Sequence, residues 1–286
     1  MTEVFKLQSI LLSKWRMNKP VKSIHRPRKR FGQHFLTDQH IIDQIISAVA
    51  PQKNERLVEI GPGTGVLTRP LLEQTATLDV IELDRDLAAN LRQEFSSEIL
   101  RIHEIDVLNF SFRSMTHGKE KIRLIGNLPY NISTPLIFHL LDEADVISDM
   151  TFMLQKEVAD RMAAKPGSRQ YGRLSVMLQY LCDTEFLFDV PPEAFDPPPK
   201  VMSTIIRLVP KSEPLLLSDK HLFSNLVKQA FSQRRKTLHN VLKEFATDED
   251  LEAVGLSPGD RSENIQVESF VRLTNYISEK NERQAQ

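Results

Sequence analysis

Arg56-Leu57-Val58-Glu59-Ile60-Gly61-Pro62-Gly63-Thr64-Gly65 decides the fold. The first five residues read as a short buried strand, and the three glycines as a tight turn. Leu67, Leu71 and Leu72 then recur at helical spacing. Strand, glycine turn and helix make the nucleotide-binding unit of a doubly wound α/β sheet. Glycine is required because the backbone must turn sharply and let a ligand approach without a Cβ in the way. The spacing is G-x-G-x-G, short of the full dinucleotide fingerprint, so the turn alone leaves the ligand open.

The following strand ends narrow it. Leu78-Asp79-Val80-Ile81 reads as a second strand, ending in Glu82. An acid here, about 20 residues after the turn, can accept hydrogen bonds from both ribose hydroxyls. Asp84 is the natural cap for a helix over Asp86 to Phe95. A third strand, Leu100 to Ile105, ends in Asp106, a carboxylate suited to an exocyclic amine such as that of adenine. A dinucleotide needs a pyrophosphate cradle, and Pro62 removes one backbone donor from the turn. Glycine turn, ribose acid and adenine acid together point to S-adenosylmethionine rather than NAD.

A fourth strand, Ile122-Arg123-Leu124-Ile125, breaks off at Gly126 and delivers Asn127-Leu128-Pro129-Tyr130. Ligands bind at this end of such strands. The side-chain carbonyl of Asn127 and the backbone carbonyl of Leu128 suit an adenine N6 amine, whose lone pair is delocalised into the ring. Accepting its hydrogens stabilises charge that develops there on methyl transfer. Pro129 stiffens the loop, and Tyr130 offers a ring for a flipped-out base. No metal and no covalent nucleophile are needed.

Ser133-Thr134 is expected to cap a helix through Leu136, Ile137, Leu140 and Leu141. A fifth strand is expected over Met150 to Leu154, a helix from Gln155, a loop at Lys165 to Ser168, and an apolar helix from Leu174 to Cys182. Phe186-Leu187-Phe188 and Thr204 to Val209 read as a closing antiparallel pair. Between them Pro191 to Lys200 is too proline-rich for helix or central strand. Phe195, in that loop, reads unaided as a plug on the core. After Pro210 the strand pattern stops. Helices are expected over His221 to Phe245, Asp248 to Val254 and Val267 to Ile277. Arg234-Arg235-Lys236 falls on a basic face of the first of these.

Upstream, residues 1–16 form a basic, amphipathic segment, and Met17 is a candidate start. Lys19 to Arg30, with Arg28, Lys29 and Arg30 at its end, is an extended basic arm without an acid. Phe31-Gly32-Gln33-His34-Phe35-Leu36-Thr37-Asp38 follows. Thr37 or Asp38 is placed to cap a helix that carries Ile41, Ile42, Ile45, Ile46 and Val49. The expected division is a flexible arm over 1–30, a Rossmann-like domain over 31–210 and a small all-helical domain over 211–286. The chain has 286 residues, 41% hydrophobic and 26% charged, and a net charge of −1, so a nucleic-acid surface must be a local patch. Cys182 is the only cysteine, which excludes an internal disulfide and suits a reducing cytosol. No run is long and apolar enough for a membrane span. Two basic segments flanking an adenine pocket suggest folded RNA held through its phosphates.

Taken together, Phe31 to Leu36, Glu59 to Gly63, Val80 to Asp84, Gly126 to Pro135, Phe195 to Val201 and Arg234 to Thr237 resemble the KsgA-type small-subunit ribosomal RNA adenine dimethyltransferases. The resemblance runs from about Met17 nearly to the C-terminus. It implies a cytoplasmic, S-adenosylmethionine-dependent enzyme that dimethylates N6 of two adjacent adenosines in the 3′-terminal hairpin of 16S rRNA. The substrate it implies is the 30S subunit or a pre-30S particle late in ribosome biogenesis, and a monomer is expected. It also implies that His34, Leu36, Gly61, Gly63, Glu82, Asp106 and Asn127 contact the cofactor. Phe195 then packs on the target base opposite Tyr130, against its unaided reading as a plug. The family often has Asn at the His34 position. The alternatives are the 23S rRNA dimethyltransferase of macrolide resistance, which shares the N-x-P-Y logic, and an assembly factor that acts mainly by binding.

Overall fold

The computed structural model describes residues 34–116, 118 and 120–285. The segment 1–16, the arm with Arg28, Lys29 and Arg30, and Phe31 to Gln33 lie outside them.

Strand β1 (Phe35–Leu36) leads into helix α1 (Gln39–Val49). Asp38 caps α1, accepting from the backbone N–H of His40 and Ile41 at 2.9 and 3.2 Å. The doubly wound unit follows as β2 (Arg56–Ile60), α2 (Thr68–Gln74), β3 (Leu78–Ile81), α3 (Arg85–Glu94) and β4 (Leu100–His103). Then come β5 (Ile122–Asn127), α4 (Ser133–Asp142), β6 (Ile147–Gln155), α5 (Lys156–Met162) and α6 (Arg173–Leu181). The sheet closes with β7 (Cys182–Val190) and β9 (Ser203–Pro210), with a short β8 (Phe195–Asp196) between them in sequence. Four helices complete the chain: α7 (Lys220–Ala230), α8 (Leu238–Leu242), α9 (Asp248–Ala253) and α10 (Val267–Ala285).

The sheet order is β4-β3-β2-β5-β6-β9-β7. The first five strands are parallel, and β9 runs antiparallel to both β6 and β7. The chain winds outward from β2 in one direction and from β5 in the other. The crevice at the C-terminal ends of β2 and β5 is therefore the topological switch point.

Central strands carry nearly continuous apolar runs because both faces are covered. Alternate residues go to opposite cores. Val58, Leu124 and Phe152 pack against α4 and α6 on one face. Leu57, Ile125 and Met153 pack against α1, α2 and α3 on the other. A third core joins the C-terminal helices to Tyr171, Val176 and Tyr180, so α6 serves both the sheet and the helical part.

Three expectations change. Ser133 and Thr134 lie inside the first turn of α4 and do not cap it; the N-cap position is Ile132, and Ser133 Oγ donates to the Tyr130 carbonyl at 3.1 Å. The helix expected over His221 to Phe245 is broken after Ala230. Ser232 donates through both its N–H and its hydroxyl to the Gln229 carbonyl, at 3.0 and 2.6 Å, which competes with the helical ladder. Leu238 N–H then bonds Asp260 across the turn at 2.8 Å. Arg234, Arg235 and Lys236 therefore sit on an exposed turn and not on a helix face. Third, the proline-rich loop contributes β8, which pairs antiparallel with β1, Leu36 opposite Phe195. No helix of the described residues is long and apolar enough to cross a membrane.

Candidate active site

The switch-point crevice is a cavity of about 180 Å³. Its floor is the turn after β2. Gly61, Gly63 and Gly65 have φ of 68°, 59° and 78°, left-handed values that favour glycine. A Cβ on Gly63 would stand 3.3 Å from the Phe35 ring, so β1 closes directly over the turn.

Glu82 projects from the end of β3. Its two carboxylate oxygens accept from Gly63 N–H at 3.1 Å and Asp84 N–H at 2.8 Å. These bonds fix the carboxylate and leave each oxygen a further lone pair for a hydroxyl. Burial raises the Glu82 pKa above the usual carboxylate range, against the lowering effect of those backbone donors. Asp84 caps α3 through Asp86 N–H at 3.0 Å. Asp106 lines the cavity and steadies a following 3-10 turn through Leu108 N–H at 3.0 Å.

Asn127 ends β5. Its Nδ2 donates to the His34 backbone carbonyl at 3.1 Å. A carbonyl can only accept, so this contact fixes which way the amide points. Oδ1 is left as the acceptor available to a substrate amine. Leu128 is anchored by its N–H to Met153 O at 3.2 Å, which holds the loop against β6. Tyr130 is half-buried; its hydroxyl bonds Ser203 Oγ at 2.8 Å, and its ring stacks on His34 with centroids 5.6 Å apart. The His34 ring nitrogen Nδ1 in turn meets the Pro197 carbonyl at 2.7 Å.

The fold thus brings His34, Leu36, Gly61, Gly63, Glu82, Asp106, Asn127, Leu128 and Tyr130 to one cavity. Phe195 is not among them. It is 4% exposed and packs in the core with Leu36 and Ile42, where the pairing of β8 with β1 holds it. Its ring therefore sits in the core and outside the cavity in this structure. Arg234, Arg235 and Lys236 lie outside the cavity.

Sequence reading missed several lining residues, among them Leu83, Ile105 and Glu59. Leu83 and Ile105 are 50% and 37% exposed, large apolar side chains each placed two residues past a strand end. That position was the available signal. Glu59, at the end of β2, is 2% exposed and accepts from Thr68 Oγ1 at 2.6 Å. Burial pushes its carboxyl up to about 7.

Four carboxyl groups line the cavity (Glu59, Glu82, Asp84 and Asp106), and among the described residues it has no lysine or arginine. Such a lining offers a pyrophosphate no cationic side chain, and its Asp84 and Asp106 carboxyls favour a cation. A pinned ribose acceptor, an amine acceptor and apolar walls at Leu83 and Ile105 fit S-adenosylmethionine, which carries a sulfonium and an ammonium.

Comparison with known proteins agrees. The family model described as ribosomal RNA adenine dimethylase matches residues 24–279. A relative from Alcanivorax borkumensis named ribosomal RNA small subunit methyltransferase A is 55% identical over 88% of this chain and 90% of its own length. One of the same name from Neisseria gonorrhoeae is 52% identical over 90% of this chain and 98% of its own. Among solved structures, a dimethyladenosine transferase from Plasmodium falciparum superposes with a TM-score of 0.74 at 28% identity, covering 87% of this chain and 98% of that one. The 23S rRNA methyltransferase ErmE gives 0.65 at 26% identity, covering 85% and 99%. With matched residues running from the basic arm into the last helix, and the cofactor crevice intact, the chain belongs to the ribosomal RNA adenine dimethylase family.

Proposed function

We propose that this S-adenosylmethionine-dependent enzyme dimethylates N6 of two adjacent adenosines in the 3′-terminal hairpin of 16S rRNA. It acts on the 30S subunit or a pre-30S particle, as a cytoplasmic monomer. The observation that carries the reading is the oriented amide of Asn127, whose NH2 is held by His34 and whose Oδ1 is left for an incoming amine. The relatives at 52–55% identity are named for the small subunit, which supports this address over the 23S rRNA of ErmE at 26%.

S-adenosylmethionine supplies a methyl group already activated on a sulfonium, so the protein's work is positioning and electrostatics. Glu82 and the glycine turn hold the ribose side, and Asp106 the adenine side. Asn127 Oδ1 and the Leu128 carbonyl accept from the target amine and stabilise the positive charge that develops on N6. Tyr130 stacks on the base, and its bond to Ser203 keeps the ring upright. The proton leaves N6 to solvent after transfer, so no general base is required. The helical segment 211–286, with Arg234, Arg235 and Lys236 on its exposed turn, and the arm with Arg28, Lys29 and Arg30 hold RNA phosphates on either side.

The test is transfer of label from S-adenosylmethionine to unmodified small and large subunits, with the modified base identified. Dimethyladenosine in the small-subunit rRNA is expected. Label confined to the large subunit, or to a base other than adenine, overturns the reading.

A further inference from the structure

A second cavity, of about 610 Å³, opens where α5, the start of α6 and the turn after α7 meet. Four arginines line it (Arg161, Arg169, Arg173 and Arg234) against two glutamates, Glu157 and Glu263. In a chain of net charge −1 this is a concentrated positive hollow. Only Arg234 is neutralised, by Glu263 at 2.9 Å. Among the described residues Arg161, Arg169 and Arg173 form no ion pair, although Glu157 stands one turn before Arg161 on α5. Arg161 and Arg173 are half-buried, where an unmatched charge is costly to keep. Arg173 lies over the Phe138 ring at 4.6 Å, and its Nε is buried without a hydrogen-bond partner. It also begins a helix, where the dipole disfavours a cation. A cluster so arranged lacks an anion, and guanidinium forks match phosphate oxygens two at a time.

We propose that this hollow binds phosphodiester groups of the RNA substrate. The proposal rests on the rRNA reading above and extends the phosphate-binding surface from the exposed turn at Arg234–Lys236 to the arginines of α5 and of the segment that opens α6. Its placement gives it a positioning role. Helix α5 continues directly from β6, whose Met153 carbonyl anchors Leu128. A strand gripped at Arg161 and Arg169 is therefore registered against the same scaffold that holds the base site.

The test uses the full chain, unmodified small-subunit particles and labelled S-adenosylmethionine. In R161Q with R169Q the KM for particles is expected to rise about tenfold with kcat retained. The slope of log affinity against log salt should fall by about one to two. R161K with R169K should restore the slope, which separates charge from packing. An unchanged KM and slope in the glutamine pair overturn the proposal, and so does a lysine pair as defective as the glutamine pair. Sedimentation of particles with each protein separates this from the underlying reading. A wild-type chain that fails to methylate small-subunit adenine counts against the substrate assignment, whereas equal particle binding by wild type and glutamine pair counts against the hollow alone. Calorimetric titration with inorganic phosphate should show no saturable binding. Saturable binding that is lost in the glutamine pair, with particle affinity unmoved, assigns the hollow to a free anion and refutes the RNA role.

Discussion

Gly126 is the point at which the fold and the chemistry share one atom's worth of space. It lies in β5 opposite Ile60 of β2 and Phe152 of β6, so it has strands on both sides. A Cβ added there would stand 2.5 Å from the Ile60 carbonyl oxygen and 3.1 Å from Leu128 Cδ2. The carbonyl is backbone and cannot swing away. Ordinary contact begins near 3.4 Å, so β2 and β5 must part by about 0.9 Å in Gly126→Ala. Overpacking of this kind costs about 1–3 kcal/mol. At 2 kcal/mol, Tm falls by roughly 4–8 °C for a chain of this size. Catalysis should lose more. The parted residues immediately precede Gly61 and Asn127, which face one another across the cavity lining and are proposed above to hold the two reactants, and a misplacement near 1 Å can cost about 10²-fold. Thermal unfolding and single-turnover methyl transfer on small-subunit particles measure the two effects. A variant with wild-type Tm and a transfer rate within about twofold of wild type refutes the close-approach argument.

Removing the acceptor in Asn127→Ala should lower kcat by about 10²–10³-fold while leaving particle binding nearly intact; a matching loss of binding would instead mark Asn127 as structural. Tyr130→Phe gives up the Ser203 bond at about 1 kcal/mol and keeps the stack, whereas Tyr130→Ala also loses base stacking of about 1–3 kcal/mol, read as a higher particle KM. Glu59 makes stability depend on pH. Its folded pKa of about 7 lies above the ordinary 4.5, so the folded chain keeps a proton that the unfolded chain releases. Its stabilising contribution is complete below pH 4.5 and is lost as pH rises through about 7. At 1.36 kcal/mol per pKa unit this amounts to at most roughly 3 kcal/mol. Glu59→Gln keeps the Thr68 contact, and urea unfolding at about pH 5 and pH 8 should show that slope flattened.

The sequence by itself determined the parts that depend on local chemistry. The strand, glycine turn and helix at Arg56 to Leu72 were legible because a β-to-α switch leaves apolar periodicity on either side of glycines. The acids at Glu82 and Asp106 were legible because strand ends in this fold face one crevice, and Asn127 to Tyr130 for the same reason. Tertiary structure decided what depends on distant chain. Two residues of β1 meet two of β8 across some 160 positions, too short a pairing to leave a pattern, and that pairing buries Phe195. The direction of the Asn127 amide depends on a carbonyl 93 residues away. The arginine hollow is assembled from α5, α6 and the turn after α7, each of which reads in sequence as an ordinary charged surface. Hydrophobic period and turn residues act over a few bonds and are written in order along the chain. Burial, orientation and the meeting of charges are set only once the sheet has closed and its helices have packed.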